Sequence, residues 1–331
     1  MTSSRGTEPD TDPQRFERRA LDADFAPLWT FFKEWFPAEP RVAGVPHLWR
    51  YDALRDLVME SAAAVSTADA ERRVLVLENP GLRGRHLVTD ALYAGLQLLM
   101  PGEIARPHRH TAAALRFIVE GKGAYTAVAG ERAYMEPGDL IVTPSWAWHE
   151  HRNEGDGPTV WLDVLDVPLV RFLGAGFSEH YTAPEFPLAP RDTAKPPVFS
   201  YPYAGARESL ERLRRRSSPD PHHGFRLEYL DATGAPAIPT ISTHLQLVPQ
   251  GFATQPYATT AGAVVAVVAG RGVARIGAGE LARELAYAPR DLLAVPSWQP
   301  LELRAAEDTV LFSASDEAVQ RRLGLLRERR G

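Results

Sequence analysis

Gly102-Glu103-Ile104-Ala105-Arg106-Pro107-His108-Arg109-His110 is answered downstream by Gly138-Asp139-Leu140-Ile141-Val142-Thr143-Pro144 and Trp148-His149-Glu150-His151. Four of the ten histidines fall in these short segments, and neutral imidazole holds a divalent transition metal without adding charge. His108 and His110 are two apart, so on a β-strand both point to one face. The apolar run Leu140 to Thr143, followed by Pro144, predicts a strand and turn that deliver His149 as a third ligand. Three histidines on one side of an ion leave the other side open, as a catalytic site requires.

The order Gly102, five residues, His108-x-His110, Gly121, then Gly138, five residues, Pro144, His149 and Asn153 resembles the two motifs of the cupin superfamily. The glutamate ligand usual in cupins is absent; Ala114 stands at its place. With Arg116-Phe117-Ile118-Val119-Glu120-Gly121 and Trp148-His149-Glu150-His151, this loss resembles the gentisate 1,2-dioxygenase family and its salicylate and hydroxynaphthoate relatives. Pro46 to Tyr51, Arg72 to Pro80, Tyr93 to Gln97 and Pro296 to Pro300 extend the likeness, which runs from about Phe25 to the C-terminal tail.

The resemblance implies an all-β bicupin with flanking helices, built from two double-stranded β-helix (jelly-roll) barrels. It implies one iron(II), held by His108, His110 and His149, and insertion of both atoms of O2 into gentisate, with C1–C2 cleavage to maleylpyruvate. The same chemistry on salicylate, an aminosalicylate or 1-hydroxy-2-naphthoate is the alternative. From other classes, a non-catalytic bicupin binding a carboxylated aromatic and a metal-dependent isomerase or decarboxylase stand as rivals. An intact histidine triad argues against mere binding, and oxygen consumption discriminates the last. Family members are commonly homotetramers. From the ligands alone, zinc suits three histidines as well as iron does.

Further site residues divide between the two kinds of argument. Arg116 alternates with apolar neighbours, which turns its guanidinium into the barrel, where a substrate carboxylate or an internal partner, Glu120 or Asp163, must meet it. His151 is a fourth ligand or, as the resemblance implies, a pocket residue near the bound hydroxyl. Gln97, Asp163 and Tyr93 match pocket positions of the family; each also suits a satisfied interior polar group. Arg72 or Arg73 closes the pocket or forms a surface ion pair. Ala112, Ala113 and Ala114 widen the approach.

A chain of 331 residues suffices for two domains. Its net charge of -5 gives no reason to expect nucleic acid or an anionic membrane as partner. No cysteine is present, which excludes disulfides and thiolate metal sites and suits a cytoplasmic location. The polar segment Met1 to Asp24 lacks a signal-peptide core, and the apolar run Ala261 to Gly270 is too short to span a bilayer. Small aromatic hydroxy acids and O2 are the expected partners.

Five segments are expected: an N-terminal arm and helices over 1–88, the catalytic barrel over 89–170, a Pro-rich and helical connector over 171–236, a metal-free barrel over 237–316, and a C-terminal helix over 317–331. Met1 to Asp24 reads as a mobile arm, Pro27 to Phe36, Asp52 to Ala64 and Arg207 to Arg216 as helices. Short strands are expected at Val74 to Leu77, Leu92 to Leu99, Leu115 to Val119, Ala124 to Val128, Leu140 to Thr143 and Val160 to Leu165. The second half repeats the first: Val268-Ala269-Gly270-Arg271-Gly272 echoes Val119 to Gly123, and Pro296-Ser297-Trp298 echoes Pro144 to Trp146. Superposed, Tyr257, Thr259 and Leu301 occupy the places of His108, His110 and His149, and Leu303 that of His151. The remaining histidines, His47, His86, His180, His222, His223 and His244, show no metal-ligand spacing.

Overall fold

The computed structural model of the protein describes residues 12–190 and 196–331, and the chain forms two compact units, Met1–Arg41 and Val42–Gly331. In the first unit, Pro13–Asp22 is a helix where a mobile arm was expected. Asp12 caps it by accepting from the Gln14 N–H at 3.0 Å, with Pro13 in the first turn. Residues 1–11 of the expected arm lie outside the described residues. The single helix expected over Pro27 to Phe36 is divided into a 3-10 turn, Leu28–Thr30, and a short helix, Phe32–Trp35. At the break the Thr30 hydroxyl donates to the Pro27 carbonyl (2.8 Å), competing with helical bonding, and Phe31 leaves helical backbone at φ -127.

The second unit holds two barrels of the same plan, each a six-stranded and a five-stranded antiparallel sheet. In the first barrel the six-stranded order is Ser200–Tyr201, Leu140–Thr143, Ala114–Glu120, Thr159–Leu165, Tyr93–Leu99, Val74–Val76. The five-stranded order is Ser178–His180, Ile104–His110, His149–Asn153, Ala124–Val128, Glu131–Tyr134. All six strands expected in the first half are present, with ends within one residue of those expected. The second barrel matches them with His47–Trp49, Leu292–Val295, Ala263–Ala269, Thr309–Ser315, Ser242–Val248, Phe225–Glu228, and with Arg283–Tyr287, Gly272–Ile276, Leu301–Ala305, Tyr257–Thr259, Glu328–Arg330.

The repeat extends beyond the barrels proper. His47–Trp49, the helix Tyr51–Ala64 and Val74–Val76 correspond to Ser200–Tyr201, the helix Tyr203–Arg216 and Phe225–Glu228. In each set the first strand joins the other barrel and the last joins its own: His47–Trp49 pairs with Leu292–Val295, and Ser200–Tyr201 with Leu140–Thr143. The segments 1–88 and 171–236 therefore contribute edge strands to the barrels they precede and to the opposite ones. Within 317–331, where a helix was expected throughout, Glu317–Arg322 is helical and Glu328–Arg330 is a strand paired with Tyr257–Thr259. Gly324, at φ +70, ends the helix and lets the chain turn into that strand.

The turn chemistry repeats too. Gly121 and Gly270 have φ of +91 and +86, and a Cβ on either would collide with the carbonyls of Pro158 and Asp308. Trp146 and Trp298, echoed in the Pro-Ser-Trp turns, share positive φ of 63 and 62. The barrels meet through Phe117 and Phe312, whose rings stack at 4.1 Å within one apolar core drawn from both.

Candidate metal centre

Strand Ile104–His110 carries His108 and His110, and the neighbouring strand His149–Asn153 brings His149 opposite His108 in register. The turn after Thr143 places His149 at the start of a strand in the five-stranded sheet, across the barrel from the strand that precedes it. One nitrogen from each of the three imidazoles lies within 4.8 Å of the others, the one such group of three metal-ligating side chains among the described residues. Each Nδ1 faces a backbone carbonyl two residues away: His108 that of Arg106 (3.2 Å), His110 that of Ala112 (2.7 Å), His149 that of Ala147 (2.9 Å). Donation from Nδ1–H assigns the lone pair to Nε2 and fixes the ring. Nε2 of His149 is buried with no hydrogen-bond partner, an orphaned polar atom that a metal would satisfy. Burial and neighbouring guanidiniums hold all three histidines neutral, His108 down at about 2. Neutral imidazoles, free lone pairs and close approach fit a divalent ion.

His151 lies on the same face of its strand as His149, outside the group of three. Its Nδ1 is 2.8 Å from the Thr126 hydroxyl, its ring lies 5.4 Å from that of Trp161, and burial keeps it uncharged. Arg116 is buried opposite Asp163, its Nε 3.5 Å from the carboxylate, and donates from Nη1 to Thr143 Oγ1 at 2.6 Å. Glu120, the other partner weighed for Arg116, instead receives Arg55 and Arg290. Desolvation pushes Asp163 up to about 6 although Arg116 opposes the shift. Gln97 is buried with its Nε2 unpartnered, and Tyr93, pushed upward by burial and by Asp163, stands on the same strand and face.

The two arginines considered for closing the pocket separate. Arg73 is buried in a bidentate pair with Glu103. Arg72 reaches the centre: its Nη2 donates to the Arg106 carbonyl (2.8 Å), lies 3.1 Å from Nε2 of His108 and contacts Nδ1 as well. Burial and the facing Arg116 lower it to about 10. Thr126 and Thr143 lie outside the ligand motifs; strand alternation, which with Thr143 opposite Ala114 puts it on the face that carries Arg116, was the available signal.

Residues 95–165 match the family model of the cupin domain. Over 96% of both chains the protein is 42% identical to gentisate 1,2 dioxygenase 1 of Aquipseudomonas alcaligenes. It is 33% identical to the 5-aminosalicylate 1,2-dioxygenase of a Comamonas species, over 96% of this chain and 90% of that one. Among solved structures, the adduct of a salicylate 1,2-dioxygenase from Pseudoaminobacter salicylatoxidans with gentisate superposes with a TM-score of 0.86 at 28% identity, covering 99% of this chain and 97% of that one. With the three-histidine centre in one of two cupin barrels, this likeness along the whole length shows that the chain belongs to the gentisate 1,2-dioxygenase family of ring-cleaving dioxygenases.

Proposed function

We propose that the protein is an iron(II)-dependent gentisate 1,2-dioxygenase, which inserts both atoms of O2 into its substrate and opens the ring between C1 and C2 to give maleylpyruvate. The observation that carries this is the convergence of three neutral imidazoles, one with an orphaned Nε2, beside the buried Arg116. His108, His110 and His149 would hold the ion, which supplies the redox chemistry between ring and dioxygen.

The chain's own side chains then bind and orient. Arg116 meets the substrate carboxylate, its fork already held by Thr143. Gln97 donates its unpartnered amide N–H to the same group. His151, neutral and receiving the Thr126 hydroxyl proton at Nδ1, carries its own proton on Nε2 and donates to the phenolic oxygen. Asp163 orients Arg116, Tyr93 forms a wall, and the apolar barrel excludes water.

The 42% identity to a gentisate 1,2 dioxygenase supports gentisate as the first reading, and the 5-aminosalicylate 1,2-dioxygenase relative supports salicylate, aminosalicylates and hydroxynaphthoates as the second. A cytoplasmic homotetramer completes the proposal. Among the described residues no helix is long and apolar enough to cross a membrane. The test is anaerobic iron(II) loading followed by oxygen uptake across a panel of hydroxybenzoates and hydroxynaphthoates. Uptake with gentisate, lost together with bound iron in His149→Ala, is the expected result; full activity in that variant overturns the assignment.

A further inference from the structure

Inside the second barrel lies a cavity of about 90 Å3. Leu293, Val295, Leu301 and Leu311 give it apolar walls, while His223, Arg226, His244 and Gln246 face it with polar groups. The last three sit on an edge strand and its neighbour, with Arg226 opposite Gln246. The equivalent pair in the first barrel is Val74 opposite Gln97.

Strand register shows that this polarity is no remnant of the metal centre. Asp163 lies between Gly95 and Arg116, whereas Ser313 lies between His244 and Val265. The second barrel thus has valine for Arg116 and serine for Asp163, but arginine for Val74 and histidine for Gly95. A barrel kept only as scaffold needs neither a cation nor an imidazole in its interior, where unpaired polar groups are costly.

Arg226 has one carboxylate near it, Glu317, which also lines the cavity, and no hydrogen bond to it. Its Nη2 donates to Nε2 of His244 (3.2 Å), and its Nη1 lies 3.4 Å from each nitrogen of His223. The carboxylate of Glu317 is 3.8 Å away, beyond a hydrogen bond, and is bound to Arg321. Burial and Arg226 hold both imidazoles uncharged, so they compensate nothing. With the Glu317 carboxylate shared with Arg321, a guanidinium between two neutral rings keeps N–H groups free for an anion. At about 90 Å3 the space suits a short carbon tail better than an aromatic ring.

We propose that the second barrel is a separate binding site for a small aliphatic carboxylate, its head group on Arg226 and His244 and its carbon tail against the leucine and valine walls.

Trifluoroacetate, followed by its 19F line width on iron-loaded full-length protein, tests the site. Saturable broadening is expected in the wild type and in Arg116→Ala, with affinity at least about tenfold weaker in Arg226→Leu and partly recovered in Arg226→Lys. Ring cleavage by Arg226→Leu reports that it folds; should it not fold, Ser313→Leu, which fills the cavity and leaves Arg226 in place, is expected to show the same loss. In Arg116→Ala, acetate and propionate should displace the probe and benzoate should not. The proposal is overturned by an absence of saturable broadening in the wild type, by broadening lost in Arg116→Ala yet intact in Arg226→Leu, or by displacement with benzoate as readily as with acetate.

Discussion

Three imidazoles that each give an Nδ1 proton to a carbonyl two residues away turn their Nε2 lone pairs into a common space, so ring orientation is fixed by backbone. Arg72 adds a second cation to that space. Its Nη2 touches both ring nitrogens of His108, 3.1 Å from Nε2, and so takes up space beside the lone pair that a metal ion would use. Arg72→Ala should therefore bind iron(II) at least as tightly as the wild type in anaerobic titration while its KM for gentisate rises. Weaker iron binding would instead make Arg72 a support for His108. Arg116 is the complementary case, buried with Asp163 too distant for a hydrogen bond. Arg116→Ala should lose about 2 to 4 kcal/mol of substrate stabilisation, the scale for removing one partner of a buried charge pair. Arg116→Lys should restore only part, because an ammonium lacks the planar fork. Steady-state kinetics on gentisate decides, and unchanged constants in both variants remove Arg116 from the site. The triad and Arg116 were legible in sequence because strand alternation aims residues two apart at one face. The position of Arg72 was not, since it depends on the turn at Glu71, a non-glycine residue at φ +53.

At the scale of elements, two aspartates in equivalent turns explain why each helix packs where it does. Asp291 accepts from the Tyr51 N–H at 3.0 Å, and Asp139 from the Tyr203 N–H at 2.8 Å, so each barrel caps the helix that leads into the other. Both also close their own turns, on the N–H of Ala288 and of Glu136. Asp291→Ala and Asp139→Ala should each cost about 1 to 2 kcal/mol, the upper range for a lost cap, read as a lower urea midpoint at unchanged slope. Asparagine at either place should restore only part of the stability, because each aspartate accepts with both carboxylate oxygens and the amide offers only one. The helices themselves were predictable from apolar spacing. Their flanking strands were not: His47–Trp49 and Ser200–Tyr201 are three and two residues long, too short to show a period of two. The last segment misled for the same reason, its helix and its edge strand each being a few residues long. His223 and His244 likewise looked unrelated in sequence, because the pairing of Phe225–Glu228 with Ser242–Val248 and the turn before it bring them to Arg226.

Over the whole molecule, two barrels built on one plan differ in their donor atoms, and this bears on how many metal ions a chain can carry. In the first barrel three neutral nitrogens converge, and the nearby guanidiniums have a carboxylate, Asp163, among them. In the second, Leu301 occupies the place of His149 and Leu303 that of His151, and neither offers a lone pair. Tyr257, at the place of His108, gives its hydroxyl to Glu328 at 2.5 Å and is pushed further from ionisation by burial and by that carboxylate, so it stays a neutral phenol. Thr259, at the place of His110, accepts from the Ala261 N–H at 3.3 Å. Arg226 then adds a positive charge beside the same cavity, opposing any cation that enters. Iron(II) titrated anaerobically into the full-length protein should accordingly saturate at one ion per chain, and elemental analysis after desalting should give the same ratio. His149→Ala should bring that ratio near zero, because among the described residues no second group of three metal-ligating side chains converges. A plateau at two ions per chain, or one ion retained in His149→Ala, would place metal in the second barrel and contradict this account.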